Sequence, residues 1–179
     1  IIGEEFIRVF EDESKRIPEA RFLGMGGTEM EKAGVELIVH QRELAIGALG
    51  VIRDVGRIFS AWRRMNRALE TSSADLVVLV DSPDFNIPLA RRARKAGIPV
   101  LYFISPQVWA WRRGRIGKIA RRVDRMAVIF PFETDVYAAS GLRVDFVGHP
   151  LVDRLGGKPP PTGALDAAAN QYDVRPLLH

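Results

Sequence analysis

The stretch Asp75-Leu-Val-Val-Leu-Val-Asp81-Ser-Pro-Asp84-Phe-Asn86 decides the fold of this chain. Residues 76–80 are a continuous apolar run rich in β-branched side chains, which predicts a strand buried on both faces. Strands of this kind lie in the middle of parallel sheets. Because open α/β sheets bind ligands at the carboxyl ends of their strands, Asp81 and Asp84 are candidate ligand-binding residues.

A structural alternative exists for the same polar residues. Residues 87–95 have a helical composition and a basic end, which predicts a helix after the turn at Pro83. Asp and Ser side chains often cap the start of such a helix. Capping is favoured for Ser82 and Asp84, whereas a functional role is favoured for Asp81, which lies on the strand tip itself.

The order of strand, polar loop and helix recurs from residue 75 to residue 150. Further apolar strands are predicted at residues 100–104, 125–130 and 144–147, with helices between them. This alternation is typical of a doubly wound parallel sheet, which belongs to the α/β class. The residues expected at one edge of that sheet, after the strand ends, are Ser105, Trp109, Trp111, Arg112, Glu133 and His149. Both tryptophans could instead be core residues, but the charge that follows them favours a cleft position for at least one.

A long amphipathic helix is predicted within residues 43–70. Its apolar residues recur at spacings of three and four and form one stripe, while five arginines occupy much of the remaining surface. Such a helix usually packs on a sheet, although a basic amphipathic helix with aromatic residues can also lie in a membrane interface. Core packing is favoured for the later part of the helix, and membrane contact is favoured for residues 46–52. Two short strands, at residues 21–25 and 35–39, precede it.

Composition limits the class of protein. The chain has 179 residues, of which 47% are hydrophobic and 27% are charged, as in a soluble globular domain. It has no cysteine, and its three histidines are dispersed, so neither a metal site nor another cofactor is predicted. No apolar run approaches the ~20 residues of a membrane-spanning helix.

The basic residues are clustered although the net charge is only +4. The cluster consists of Arg112, Arg113, Arg115, Lys118, Arg121, Arg122 and Arg125. Such a cluster suits phosphate groups, nucleic acid or an anionic membrane surface, and a solvated helix face is the structural alternative. Nucleic acid is disfavoured because aromatic residues are not interleaved along the cluster.

The two ends of the chain differ from its middle. Residues 1–16 have the pattern of an amphipathic helix, and the natural N-terminus is expected to precede them. Residues 156–163 are rich in glycine and proline, so residues 156–179 are predicted to be a linker or a poorly ordered tail. Residues 1–155 are predicted to be the folded domain.

Several motifs, in their order along the chain, resemble those of the lipid-A-disaccharide synthase family. They are Phe22-Leu-Gly-Met-Gly-Gly27, Glu43-Leu-Ala45, Val80-Asp-Ser-Pro-Asp-Phe-Asn86, Ser105-Pro-Gln-Val-Trp-Ala-Trp-Arg112, Pro131-Phe-Glu133 and Val147-Gly-His-Pro150. The resemblance covers about residues 5–155. It implies the Rossmann-like, acceptor-side N-terminal domain of a GT-B glycosyltransferase, which is peripheral to the cytoplasmic face of the inner membrane in Gram-negative bacteria.

The resemblance also implies a reaction. Family members transfer 2,3-diacylglucosamine from UDP-2,3-diacylglucosamine to 2,3-diacylglucosamine 1-phosphate, with inversion, and form the disaccharide 1-phosphate precursor of lipid A. Asp81 is then the general base that takes the proton from the acceptor hydroxyl. The implied substrate-binding residues are Asp84, Asn86, Ser105, Trp109, Trp111, Arg112, Glu133 and His149. The implied membrane or acyl-chain contacts are Ile46, Leu49, Val51, Ile52, Val55 and Phe59.

Two departures from the family pattern affect these expectations. The family's first strand with its glycine loop, and its second domain, which holds most contacts to UDP, have no counterpart in these residues. The implied partners are therefore a UDP-sugar, an acylated glucosamine phosphate, an anionic membrane surface and the C-terminal domain, with no nucleic acid. The chain alone is expected to be inactive. The alternative is a non-catalytic module that binds membrane surfaces through basic amphipathic helices.

Overall fold

The structure, a computed structural model, describes residues 20–44, 51–108, 113–150 and 152. The chain divides into two compact units, residues 1–148 and residues 149–179. In the second unit, the Val152 N–H donates to the His149 carbonyl at 2.9 Å. The predictions that lie outside the described residues concern the first helix, Ile46, Leu49, Trp109, Trp111, Arg112 and the tail 156–179. The predicted boundary after residue 155 stays a prediction.

The described part of the first unit starts with a small parallel sheet. Its elements are β1 (Leu23–Gly26), α1 (Thr28–Lys32) and β2 (Glu36–His40), followed by a 3₁₀ turn at Gln41–Leu44 and by α2 (Val51–Thr71). The two strands pair in parallel, with Leu23 opposite Glu36. A side chain at Gly26 would meet the side chain of Met30, which would have to shift, so glycine lets β1 and α1 pack closely.

A four-stranded sheet forms the main body of the unit. Its elements are β3 (Val77–Val80), α3 (Pro83–Lys95), β4 (Val100–Phe103), a 3₁₀ turn (Arg113–Arg115), α4 (Ile116–Ala120), β5 (Arg125–Val128), α5 (Glu133–Tyr137), a second 3₁₀ turn (Ala138–Ser140) and β6 (Arg143–Phe146). All neighbouring strands are parallel, in the order β3-β4-β5-β6. The predicted α/β class with parallel strands is confirmed.

The core lies between the sheet and its helices because the strands bury their apolar side chains there. Val77 and Leu79 of β3, Tyr102 of β4 and Met126 of β5 are buried in one cluster with Ala90 of α3. Met65 and Leu69 of α2 pack against the same cluster. Gly141 ends the helical segment after β5 with φ 73°, a left-handed conformation that glycine adopts without strain.

The register of the sheet brings the carboxyl ends of the strands level with one another. Val80 lies opposite Phe103, Phe103 lies opposite Ala127, and Val128 lies opposite Phe146. The loops that follow β3, β4, β5 and β6 therefore begin at one edge of the sheet, here called the carboxyl edge.

Several strand boundaries differ from those predicted. β4 and β5 end before Ile104 and Ile129, and β6 runs over Arg143–Phe146 rather than residues 144–147. The helical part of the basic segment between β4 and β5 is short, since it consists of a 3₁₀ turn and a five-residue helix. Apolar composition continues past these strand ends, so the pattern alone does not show where the chain leaves the sheet.

Candidate active site

The backbone at the carboxyl edge is strained where β3 and β4 end. Asp81 has φ 48°, Ser82 has φ 43°, and Ile104 has φ 66°. Residues other than glycine rarely adopt this left-handed conformation, and a β-branched residue such as isoleucine rarely does so at all. Strain of this kind is found mainly at active sites and ligand-binding loops, where surrounding contacts maintain it.

Hydrogen bonds on both sides of Asp81 hold this conformation. The Asp81 N–H donates to the Phe103 carbonyl at 3.0 Å. The Asp81 carbonyl accepts hydrogen bonds from the Tyr102 hydroxyl at 2.5 Å and from Asn86 Nδ2 at 2.7 Å. Asn86 Nδ2 also lies 3.0 Å from the Val80 carbonyl. The main chain of Asp81 is therefore fixed, while the residue itself is exposed to solvent.

Tyr102 is a permanent donor in this arrangement. It is fully buried, and burial raises the pKa of its hydroxyl above the ordinary range. The negative charge of Asp81 raises the pKa of Tyr102 further. The hydroxyl consequently stays protonated at physiological pH and donates to the Asp81 carbonyl. Sequence reasoning missed this residue, although a tyrosine within a buried strand always needs a partner for its hydroxyl.

The polar residues next to Asp81 do not act as side-chain caps of α3. Helix α3 begins at Pro83, whose ring suits the first helical position. Ser82 occupies the N-cap position, but its side chain makes no capping hydrogen bond. Asp84 has 91% of its side chain exposed and lies 3.5 Å from Arg115. Its carboxylate is therefore accessible at the carboxyl edge.

Three predicted substrate-binding residues belong to the buried scaffold instead of the exposed surface. Asn86 is 7% exposed and bonds the main chain of β3. Ser105, at 4% exposure, is 2.9 Å from the Tyr137 hydroxyl, and Glu133, at 2%, accepts the Phe130 N–H at 3.2 Å. Buried polar groups need such partners, so these side chains stabilise the loops around the site. Their direct contact with a substrate stays a prediction.

The loop after β5 adds an aromatic surface to the carboxyl edge. The rings of Phe130 and Phe132 stack with centroids 5.7 Å apart, and the two residues are 38% and 46% exposed. Phe146 and Val147, at the end of β6, are also exposed. Exposed aromatic residues at this edge offer apolar contact to a ligand that carries both a polar and an apolar part.

Helix α2 supports the core at one end and exposes apolar residues at the other. Ala61 is buried, whereas Val55 and Phe59 are 62% and 59% exposed. Val51 and Ile52 lie in the helix, but the structure describes only their backbone. Over the described part of the chain, no helix combines the length and the apolar character needed to cross a bilayer.

The predicted site residues are thus only partly brought together. Asp81, Asp84, Asn86, Ser105 and Glu133 lie at or just beneath the carboxyl edge. His149 belongs to the second compact unit, and its contact with a substrate stays a prediction.

Comparison with known proteins places this site in a family context. The family model described as lipid-A-disaccharide synthetase matches residues 1–171. The lipid-A-disaccharide synthase of Geobacter metallireducens is 51% identical over 139 residues, which cover 77% of this chain and 36% of the relative. That of Geobacter sulfurreducens is 46% identical over 160 residues, covering 89% and 41%. That of Coxiella burnetii is 42% identical over 160 residues, covering 89% and 42%.

This chain spans about two fifths of the length of these curated relatives. The matched region includes both parallel sheets and the whole carboxyl edge. The extent of the match and the parallel, Rossmann-like α/β fold lead to one conclusion: the chain belongs to the lipid-A-disaccharide synthetase family.

Proposed function

We propose that this chain forms the acceptor-side domain of an inverting glycosyltransferase. The enzyme would transfer 2,3-diacylglucosamine from UDP-2,3-diacylglucosamine to 2,3-diacylglucosamine 1-phosphate. The single observation that carries the proposal is the exposed Asp81, held on a strained and hydrogen-bonded main chain at the carboxyl edge. Family membership supports the class of reaction.

In this mechanism, Asp81 acts as the general base. Its carboxylate takes the proton from the acceptor hydroxyl while the hydroxyl oxygen attacks the anomeric carbon of the donor sugar. The bond between that carbon and the phosphate oxygen of UDP breaks, and UDP leaves with the electron pair. Attack opposite the leaving group inverts the anomeric configuration. The fixed main chain matters because a general base must lie within hydrogen-bond reach of its proton.

The donor would bind mainly to the part of the enzyme that corresponds to the remaining length of the relatives. The carboxyl edge would then face the acceptor, with Phe130 and Phe132 as apolar contacts and Asp84 close to the reacting hydroxyl. Such an enzyme would act at the cytoplasmic face of the inner membrane, where acylated sugars are embedded in the bilayer.

Replacing Asp81 in the complete enzyme tests this proposal. Because the base takes part in proton transfer, we expect Asp81→Asn to lower kcat by about 10²–10⁴-fold, with little change in KM for the acceptor. Asp75→Asn is the matched control, since Asp75 is an exposed aspartate next to the opposite end of β3. If Asp81→Asn turned over substrate nearly as fast as Asp75→Asn, Asp81 would not be the general base.

A second candidate function is binding to membrane surfaces without catalysis. The observation that favours it is the exposure of Val55, Ile58 and Phe59 on α2, a helix that also carries arginines. Apolar residues next to cations are typical of helices that lie in the interface of an anionic bilayer. Co-sedimentation of the chain with anionic vesicles at low and high salt measures this activity directly. Binding that salt leaves unchanged would argue against an electrostatic component.

A further inference from the structure

A small basic cleft opens between the start of α3 and α4. It has a volume of about 110 Å³, and Pro83, Pro88 and Pro106 contribute to its walls. Ile87 of α3 and Ile119 of α4 add apolar surface. Proline rings have little conformational freedom, so these walls keep their shape when a ligand enters.

The charges that line the cleft are mainly positive. Arg115, Lys118 and Arg122 line it, and Asp84 is the only carboxylate among the lining residues that the structure describes. Arg115 contacts Asp84 at 3.5 Å, which is too long for a strong hydrogen bond. Lys118 is exposed, and its ammonium group points to no carboxylate within ion-pair distance in the described ranges. The cleft therefore has an excess of positive charge.

Arg122 has other cations as neighbours and joins the two sides of the cleft. Its guanidinium donates to the Ile87 carbonyl at 3.3 Å, which holds the turn after α4 against α3. Burial lowers the pKa of Arg122, and the neighbouring Arg91 and Arg121 lower it further. A bound anion would relieve this repulsion between cations, and the attraction would be stronger next to apolar walls than in open water.

Size and charge together point to a phosphate group. A cavity of about 150 Å³ accommodates a benzene molecule, so a cleft of 110 Å³ suits a compact anion and not a whole acylated sugar. Arginine and lysine are the residues that proteins use most to bind phosphate oxygens. The second charge of a phosphomonoester matches several cations better than the single charge of a phosphodiester.

The cleft also lies beside the proposed catalytic residue. Pro83 and Asp84 line it and follow Asp81 by two and three residues, and Pro106 lies three residues after the last residue of β4. We propose that Arg115, Lys118 and Arg122 bind the phosphomonoester of the acceptor sugar and thereby orient its hydroxyl toward Asp81. This inference rests on the proposed function, because it assigns one group of the proposed acceptor to a defined place.

Equilibrium binding to the complete enzyme tests the inference without relying on turnover. The ligands are a short-chain 2,3-diacylglucosamine 1-phosphate and the same sugar without phosphate, measured by titration calorimetry. We expect Lys118→Gln to weaken binding of the phosphorylated sugar by about tenfold, the effect of losing one charged hydrogen bond, and to leave binding of the other sugar unchanged. Lys118 is exposed, so its replacement should not disturb folding. Arg115→Gln is a second variant.

Lys95→Gln is the matched control, because Lys95 is an exposed lysine at the end of α3 that does not line the cleft. Inorganic phosphate should compete with the phosphorylated sugar in the parent enzyme and less in Lys118→Gln. Equal affinity of the parent for both sugars would overturn the inference. The inference would also be overturned if both Lys118→Gln and Arg115→Gln still preferred the phosphorylated sugar to the sugar without phosphate.

Two further results would assign the cleft to another phosphate source and also overturn the inference. In the first, Lys118→Gln loses binding to phosphatidylglycerol vesicles but still prefers the phosphorylated sugar to the sugar without phosphate. In the second, Lys118→Gln raises only the KM for the UDP-sugar. Failure of the proposed function gives a different pattern. In that case Asp81→Asn would keep its turnover, while the enzyme would still prefer the phosphorylated sugar.

Discussion

Asp81 and Ser82 both occupy a backbone region that costs of order 1–3 kcal/mol for each residue other than glycine. Pro83 does not account for this geometry, since a proline favours extended backbone in the residue before it, whereas Ser82 is left-handed. The cost is offset by the pairing of Asp81 with Phe103 and by two buried donors to the Asp81 carbonyl. The chain thereby directs a carboxylate away from the core at the point where β3 ends.

Tyr102 is predicted to position Asp81 through the main chain. Tyr102→Phe removes one of the two side-chain donors to the Asp81 carbonyl, so we expect the free energy of unfolding to fall by about 1–2 kcal/mol. We also expect kcat to fall, with little change in KM for the acceptor, because the carboxylate would be less well held. Denaturant unfolding and steady-state kinetics of the complete enzyme measure the two effects.

Tyr137→Phe separates positioning from stability. Tyr137 is equally buried, but its hydroxyl bonds Ser105 and not Asp81. This variant should lose a similar amount of stability with a smaller loss of kcat. Equal losses of kcat in the two variants would show that Tyr102 has only a structural role.

Sequence reasoning at this scale predicted that Asp81 follows the end of β3, but not which way the neighbouring polar side chains point. Asp81 follows an apolar run so abruptly that its place on the strand tip was predictable. Asn86, Ser105 and Glu133 look the same in the sequence as residues that contact a ligand, but their side chains turn inward to bond the protein itself. That direction depends on which main-chain groups the surrounding loops leave unpaired, and no local pattern encodes it.

At the scale of elements, α2 is packed against the core at one end and exposed at the other. Met65 and Leu69 pack against the core, which confirms the predicted core packing of its later part. The rings of Trp62 and Phe59 stack, and the guanidinium carbon of Arg92 on α3 lies 5.7 Å from the centre of the Trp62 ring. The earlier residues Val55 and Phe59 are exposed instead. A helical stripe shows which side chains share a face, but not where the neighbouring elements stop covering that face.

The exposed end of α2 is predicted to contact membranes. Burial of a phenylalanine in an apolar environment contributes about 1.5–3 kcal/mol, so we expect Phe59→Ser to weaken binding to anionic vesicles by about tenfold or more. The free energy of unfolding should change little, because Phe59 is 59% exposed in the folded chain. Co-sedimentation and thermal unfolding measure the two quantities.

Leu76→Ser is the matched control for this experiment. Leu76 is also an exposed apolar residue, at 49%, but it precedes β3 at the end of the sheet opposite the carboxyl edge. A membrane role for α2 requires vesicle binding to fall in Phe59→Ser and not in Leu76→Ser. An equal fall in both variants would indicate general hydrophobic adhesion.

At the scale of the whole molecule, the parallel direction of the strands makes the carboxyl edge. Because every strand from β3 to β6 runs the same way, four loops begin on one side, and this much followed from the repeated strand and helix pattern. The basic cleft could not be predicted from that pattern, because it forms only where α4 lies against the start of α3. Two of the ion pairs within the described residues join neighbouring elements and hold a carboxylate whose pKa is lowered. Glu43, after β2, pairs with Arg64 of α2 at 2.6 Å, and Asp145 of β6 pairs with Arg125 of β5 at 2.6 Å.

These two pairs predict how stability depends on pH. The His40 N–H and the Arg64 guanidinium hold the pKa of Glu43 below its ordinary value, and Arg125 does the same for Asp145. A carboxylate with a lowered pKa in the folded state binds fewer protons there than in the unfolded chain. Its contribution to stability is complete above the unfolded pKa, about 4, and disappears as pH falls through the folded pKa.

We therefore expect the melting temperature of the chain to be level near neutral pH and to fall below about pH 4. The double variant Glu43→Gln, Asp145→Asn should melt at a lower temperature at pH 7 and should lose less on acidification, because it has fewer carboxylates to protonate. Glu70→Gln is the control, since Glu70 is exposed on α2 and has no ion pair within the described residues. If the double variant and this control have parallel pH profiles, the two pairs do not contribute to stability, and acid unfolding must arise from other carboxylates.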